Sequence, residues 1–386
     1  MKILFLTPHP EEGASSRVRV YQFVPYLETM GHVCYVRPFL SSKAYARRLL
    51  RVSSTAENNR WLIVGLLRRF RDLLLATRCD VVFIHREAFP YGPPILERLL
   101  SLLGCKMALD FDDALFISHP EEDSRGLYHW MKNPSRFRAT LQLATHAVAG
   151  NSFLADYARH HCREVSVIPS VIDSRRYVAK PVRNSDQPLV IGWMGSPSTA
   201  GNLFLVKSAL SRLLDRYKVQ LRVVGATLPT SWGLPAECRE FQLASEIQDL
   251  QSFDVGIMPL TDDEWTKGKC AFKALQYMGA GIPVVSSPVG VVQEIIRDGQ
   301  NGMIADTEDD WFRKLEILIT NPGLRHQIGC QGREYVVKHY SIEAAMPRLL
   351  SVLGRIGSES GTVPRAQDAV PVNTARVTWT NRQSKR

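Results

Sequence analysis

No stretch of this chain approaches the ~18–20 consecutive apolar residues that a membrane-spanning helix requires. Cysteine is scarce and shows no pattern: the seven residues (34, 79, 105, 162, 238, 270 and 330) are scattered, odd in number and without CxxC or Cys/His spacing. That excludes a disulfide framework and a structural zinc site, and it fits a reducing cytosol. The opening MKILFLTPHPEEG has an apolar run too short for a signal sequence before Pro8 and Glu11, and it reads as a first strand. The phosphate-binding patterns GxGxxG and GxxxxGK(S/T) are both missing. A net charge of +10 invites a nucleic-acid partner. The basic stretch lacks a recognition module and interleaved stacking aromatics, however, so no nucleic acid is expected.

What is present is a core-forming chain of 386 residues, 45% hydrophobic, a length for two or three domains. Short apolar strands alternate with helical periods. Strands are expected at 2–6, 32–36, 80–85, 106–110, 146–149 and 165–168, and helices at 17–30, across 43–76, and at 94–103, 136–144 and 152–161. Segment 174–188, SRRYVAKPVRNSDQP, is polar, contains prolines and lacks a hydrophobic period, so it reads as a linker. The alternation then restarts, with strands at 189–194, 220–224, 253–257 and 282–285 and helices at 201–217, 272–278 and 291–296. Helices at 310–319, 322–339 and 342–353 follow. The fold class is therefore α/β, with two doubly wound, Rossmann-like domains (1–173 and 189–340) facing a central cleft. A closing helix takes 341–355, and the polar residues 356–386 read as a disordered tail. Ligands of such sheets sit beyond the carboxyl ends of the strands, which makes the shared cleft the expected site.

One stretch stands out, EWTKGKCAFKALQYMGAGIPVV at 264–285. Lys267, Lys269 and Lys273 surround a small-residue turn at 268–271, and an apolar helix follows. Such a helix start presents unpaired N–H groups and the positive end of the helix dipole, which suits a phosphate bound among Cys270, Ala271, Phe272 and Lys273. An ordinary helix–strand unit with solvated lysines is the alternative. The loop Gly195-Ser196-Pro-Ser198-Thr199 is rich in hydroxyls and offers N–H groups to the same diphosphate. Glu246 opens a short helix, and Pro259 and Leu260 follow a strand end, where a carboxylate or backbone suits a ribose or base. In the first half, Ser16 and Arg17 follow the first strand and Arg86 follows His85 at the third. These suit an anion or sugar, or else form a capped surface helix. Asp110, Asp112 and Asp113 suit a sugar's hydroxyls or the orientation of a base. A metal is the weaker option because no matching carboxylates occur elsewhere, and Asp113 also suits a helix cap. His119 follows in the same loop, and Asn151 reads as a cap.

These pieces in this order resemble a GT-B glycosyltransferase and are most similar to glycosyltransferase family 4. The resemblance rests on FDVGIMPL (253–260), KGKCAFKALQYMGAGIPVVSSPVGVVQEII (267–296) and DGQNGMIADTEDDW (298–311), with SSRVRVYQFVPYLETMGH and DFDDAL in support. It covers most of residues 1–354. It implies that a sugar is transferred from a nucleotide diphosphate-sugar with retention at the anomeric carbon, without cofactor, essential metal or protein nucleophile. The donor would sit on the C-terminal domain and a glycan or lipid-linked acceptor on the N-terminal one, building a cell-surface polysaccharide, glycolipid or related glycoconjugate. The protein's work would be positioning and stabilising charge on the leaving diphosphate. Asp112, Asp113 and Lys269 are then the candidate catalytic residues, and Gln276 a ribose contact.

The chain departs from the family at three points. The family's glutamate pair falls on Gly268 and Gln276, its phosphate-binding Arg and Lys fall on Ser196 and Asn202, and the acidic run at Asp112 replaces its sugar-contacting His. Lys269 or Lys273 must then supply the missing positive charge. A GT-B-shaped nucleotide-sugar-binding or scaffolding protein without catalysis is an alternative, as is a sugar-nucleotide epimerase on the same architecture.

Between residues 43 and 80 stand nine Lys/Arg against three acids, and the 60–75 segment mixes arginines with apolar residues at roughly helical spacing. Its basic side suits an anionic membrane surface, with Arg68, Arg69 and Arg71 carrying the contact, while a solvated helix face is the alternative. The expected location is the cytoplasm, with peripheral contact at the inner face of the cell membrane.

Overall fold

The computed structural model describes residues 1–49, 52–117, 135–181 and 187–358. His119 and the 359–386 tail therefore lie outside the described residues. β1 (Lys2–Thr7), β2 (Val33–Pro38), β3 (Val81–His85), β4 (Met107–Phe111), β5 (His146–Ala149) and β6 (Val165–Val167) form a parallel sheet ordered β2-β1-β3-β4-β5-β6. β7 (Leu189–Met194), β8 (Val219–Val224), β9 (Ala236–Arg239), β10 (Val255–Met258), β11 (Val284–Ser286) and β12 (Met303–Ile304) form a second, ordered β12-β11-β10-β7-β8-β9. The inner strands are mostly apolar because helices cover both faces: β3 and β4 are buried at every position, His85 and Asp110 included. This is the two-domain GT-B architecture expected from the sequence. β9 and β12 were not anticipated. They are edge strands of four and two residues, too short to carry a period.

Three predicted helices prove to be broken. The 17–30 helix divides into Ala14–Arg19, a 3-10 turn at Tyr21–Phe23, and Val24–Thr29. Pro25, in the first turn of the last piece, has no N–H with which to continue the helix before it. The 43–76 region is two helices, Ser42–Leu49 and Thr55–Ala76. The second starts at a capping box, in which Ser54 Oγ accepts from Glu57 N–H and the Glu57 carboxylate accepts from Ser54 N–H. The 201–217 helix begins as Pro197–Ala200, tightens to a 3-10 turn at Gly201–Val206, and runs on as Lys207–Arg216.

Two further expectations are corrected. Arg69 does not face outward: it is 2% exposed and donates to the carbonyls of Thr7, Arg37 and Ala88 and to Asp72, tying the end of β1 to its neighbours. Nor is the start of the 174–188 segment a free linker. Tyr177 is buried, Arg333 donates to its carbonyl, and Lys180 N–H donates to Ala280 O, fastening the segment to the second domain.

The closing helix, Ile342–Gly357, returns to the first domain. Ile342, Ala345, Met346, Leu349, Val352, Leu353 and Ile356 complete the core that Ile3, Phe5, Val81 and Phe83 present on one face of the first sheet. Among the described residues, no helix is long and apolar enough to cross a membrane.

Candidate functional site

The carboxyl ends of β1 and β4 face those of β7 and β10 across a cavity of about 310 Å³, lined from both domains. Its second-domain wall is the turn before the helix Phe272–Gly279. Ala271 adopts φ +50°, a left-handed conformation uncommon for a residue with a Cβ, and no side chain caps the helix. The first N–H groups of that helix therefore end at the cavity without a side-chain acceptor. Lys273 reaches along the wall to Thr199 Oγ1 (3.3 Å) and lies over the Trp193 ring. Burial, with Lys269 adding repulsion, lowers its ammonium to about 8.

Two glycines make room for this arrangement. A Cβ at Gly195 would sit 2.5 Å from Lys273 Cε, and one at Gly225 (φ +90°) 2.1 Å from Gly195 O.

The first-domain wall is a chain of alternating charges. Arg19 forks onto Asp110, both almost fully buried. Asp110 Oδ2 lies 2.8 Å from His85 Nδ1, and His85 Nε2 lies 2.8 Å from Ser15 Oγ, which is also 2.7 Å from Asp112 Oδ2. A carboxylate only accepts, so the hydroxyl proton of Ser15 goes to Asp112 and Ser15 accepts from His85 Nε2–H. Asp110, engaged by Arg19, accepts from Nδ1–H. Both ring nitrogens then donate. Burial alone would raise the Asp112 carboxyl, but Arg86, His85 and Arg19 outweigh it and hold the group below the ordinary carboxylate range. Arg86, in the left-handed region at φ +65°, donates to Asp112 (2.9 Å) and Asp113 (2.5 Å). It braces the two carboxylates and does not itself line the cavity.

The two walls are joined directly by side chains. Lys269 Nζ is 3.4 Å from Asp113 Oδ1, and Arg17 Nη2 is 3.2 Å from Glu246 Oε1. Asn151, besides capping its own helix, donates to the carbonyls of Gly268 (3.1 Å) and Lys269 (3.2 Å). Cys270 Sγ–H reaches Asp112 O (3.4 Å); burial, with Asp112 beside it, pushes this thiol up to about 12, so it remains a donor. Glu246 is fully buried and accepts from Arg17, Arg176, Tyr177 and Gln276, the last at 2.8 Å.

Of the residues singled out in the sequence, Asp112, Asp113, Lys269, Gly195, Ser196, Glu246, Leu260, Cys270, Ala271, Phe272, Lys273, Gln276 and Arg17 line the cavity. Ser198 and Thr199 stand behind Ser196, hydrogen-bonded to its hydroxyl, and Pro259 is buried below Leu260. Ser16 is buried, its Oγ accepting from His9 N–H, and the hydroxyl that faces the cavity is that of Ser15. The sequence reading missed Ser15, Tyr45, Phe241 and the Arg19–Asp110–His85 support. A His and an Asp ending adjacent parallel strands were the available signal for that support. Among the described residues, no group of three or more His, Cys, Asp or Glu is arranged to hold a metal ion.

Residues 188–321 match the family model described as glycosyl transferases group 1. No curated protein matches the chain. Among solved structures, Anabaena HepE in complex with UDP is 14% identical over 92% of this chain and 100% of its own, with a TM-score of 0.63. Sucrose-phosphate synthase from Thermosynechococcus elongatus is 13% identical over 93% and 100%, with a TM-score of 0.69. A glycosyltransferase from Rickettsia africae is 15% identical over 93% and 99%, with a TM-score of 0.66. At these identities the likeness is one of fold.

Proposed function

We propose that the protein is a retaining glycosyltransferase. In this reading it takes a sugar, a hexose or a close relative, from a nucleoside diphosphate-sugar and gives it to a glycan or lipid-linked acceptor of a cell-surface glycoconjugate. The observation that carries the proposal is the convergence of Lys269, Lys273 and an uncapped helix start on one cavity wall. Two cations and backbone N–H groups there stabilise charge as a diphosphate departs, the main task in a transfer without a protein nucleophile. Opposite them, Asp112 and Asp113 are oriented by Arg86, which suits them to accept hydrogen bonds from sugar hydroxyls. In the transfer step, the acceptor oxygen bonds to the anomeric carbon as the bond to the phosphate oxygen breaks on the same face. The acceptor proton passes to that phosphate.

Family 4 carries a glutamate where Gln276 stands. Here Gln276 Nε2 donates to Glu246 Oε1 at 2.8 Å, which sets a carboxylate from a neighbouring helix beside it in the cavity wall. UDP, the nucleotide of the Anabaena HepE complex, is the first donor base to test. Calorimetric titration of UDP, GDP and ADP into the wild type, Lys269→Ala and Lys273→Ala is the decisive experiment. Absence of binding at millimolar nucleotide overturns the proposal. Transfer that persists in EDTA supports metal independence.

A second reading, a binding protein without catalysis, draws on Gly268 and Gln276 at the family's glutamate positions. Nucleotide binding without donor hydrolysis or transfer supports that reading instead.

A further inference from the structure

We infer that the outer face of the helix Thr55–Ala76 is the surface by which this protein lies on an anionic lipid bilayer. Ile63, Leu67, Phe70 and Leu74 are 60%, 64%, 45% and 71% exposed. Their spacing of four, three and four residues puts them in one stripe. At about 100° per residue, that stripe is opposite the buried Gly65, Arg69, Asp72 and Ala76. The buried side is fixed in place: a Cβ at Gly65 would meet the Phe39 ring at 2.5 Å, and Arg69 is fully engaged. The helix therefore cannot roll to hide its apolar side. Four large apolar residues in one exposed row are unusual for a surface that meets only water.

The charges beside the stripe select the occupant. Arg60, Arg68 and Arg71 are exposed along the same helix. Its two acids are both paired: Glu57, at the first turn, with Arg47 and its own capping box, and the buried Asp72 with Arg69 and Arg37. No acid is left on the outer side to oppose an anionic layer. An apolar row with arginines beside it places side chains at the acyl boundary and cations at the headgroups. A second copy of the chain fits poorly, because a two-fold contact through this face sets the arginines of one copy against those of the other. Nothing in this inference depends on sugar transfer.

The test is co-sedimentation of the full chain with neutral phosphatidylcholine vesicles and with vesicles that also contain phosphatidylserine. It uses two variant sets, Ile63→Ser/Leu67→Ser/Phe70→Ser and Arg60→Glu/Arg68→Glu/Arg71→Glu, with circular dichroism to show that each folds. The wild type is expected to bind the anionic vesicles at least ~10-fold more tightly than the neutral ones, and to lose binding between about 0.1 M and about 1 M salt as the screening length shrinks. Each set is expected to lower binding at least ~10-fold, because apolar insertion and charge both contribute. Binding that either set leaves unchanged overturns the inference. So does equal binding to both vesicle types, or a vesicle-independent dimer, seen by light scattering, that the serine set abolishes.

Discussion

Lys269 Nζ of the second domain sits 3.4 Å from Asp113 Oδ1 of the first, so the cation proposed for a diphosphate already has an anion. Both side chains are partly exposed, and such a pair is worth about 0–1 kcal/mol. Donor and Asp113 therefore compete for one ammonium. Asp113→Asn is expected to tighten nucleoside diphosphate binding by about 2–5-fold, and Lys269→Ala to weaken it by about 10-fold, since a charge-assisted hydrogen bond contributes about 1.5–3 kcal/mol. Titration calorimetry reads both. Weaker binding by Asp113→Asn would contradict the competition.

Lys273 gives the site a pH dependence. With its ammonium at about 8 in the folded protein, the group loses its proton as pH rises through that value, and diphosphate affinity is expected to fall over the same range. Lys273→Arg stays charged and should flatten the profile. The stability effect has the opposite sign. Between about 8 and about 10.5 the unfolded chain holds more protons, so stability rises with pH there, and the full cost of the buried charge is felt below 8. Lys273→Met is expected to raise Tm at pH 7 by about 2–4 °C while weakening nucleotide binding. Differential scanning calorimetry at pH 7 and pH 10 should show the gain shrinking.

A methyl group at Gly195 would meet both Lys273 Cε (2.5 Å) and the Trp193 indole (2.7 Å). Gly195→Ala is expected to cost about 1–3 kcal/mol and to displace Lys273, lowering nucleotide affinity by about 10-fold. Gly192→Ala, whose Cβ would fall 1.9 Å from the Phe253 ring, is expected to disrupt folding with no direct effect on the site. Urea melts paired with nucleotide titrations separate the two.

The Arg19–Asp110–His85–Ser15 chain should be sensitive at one end and tolerant at the other. Asp110→Asn strands the buried Arg19 cation and is expected to cost about 3–5 kcal/mol in urea unfolding. Ser15→Ala removes one donor from Asp112 and is expected to cost about 1 kcal/mol, its larger effect falling on turnover. Equal losses of stability in the two variants would dissolve the distinction.

The sheets were legible because β1, β3, β4 and β7 are buried over nearly their whole length and are mostly apolar, with His85 and Asp110 the polar exceptions near the ends of β3 and β4. The turn at 268–271 was legible as a wall of the cavity because lysines beside glycine and alanine are poor choices for a core. Arg69 misled because its neighbours Arg68 and Arg71 are solvated, and its burial depends on carbonyls at Thr7, Arg37 and Ala88, far off in sequence. Ser15 was passed over for Ser16 for a similar reason: which of two adjacent hydroxyls faces the cavity depends on where the 14–19 helix begins. Glu246 stood out as a helix start with a carboxylate suited to a ribose or base. Its meeting with Gln276 and Tyr177 depends on packing within the second domain, and its meeting with Arg17 on how the two domains face each other.

The helix Ile342–Gly357 has a consequence for the order in which the molecule can be made. The face of the first sheet that holds Ile3 and Phe5 is finished by Leu349, Leu353 and Ile356, so its core stays open until nearly the whole described chain has left the ribosome. The second domain can close earlier, from 189 onward. The half that begins first is thus the half completed last, and any shortening of the chain into residues 342–356 exposes apolar surface in the domain at its opposite end.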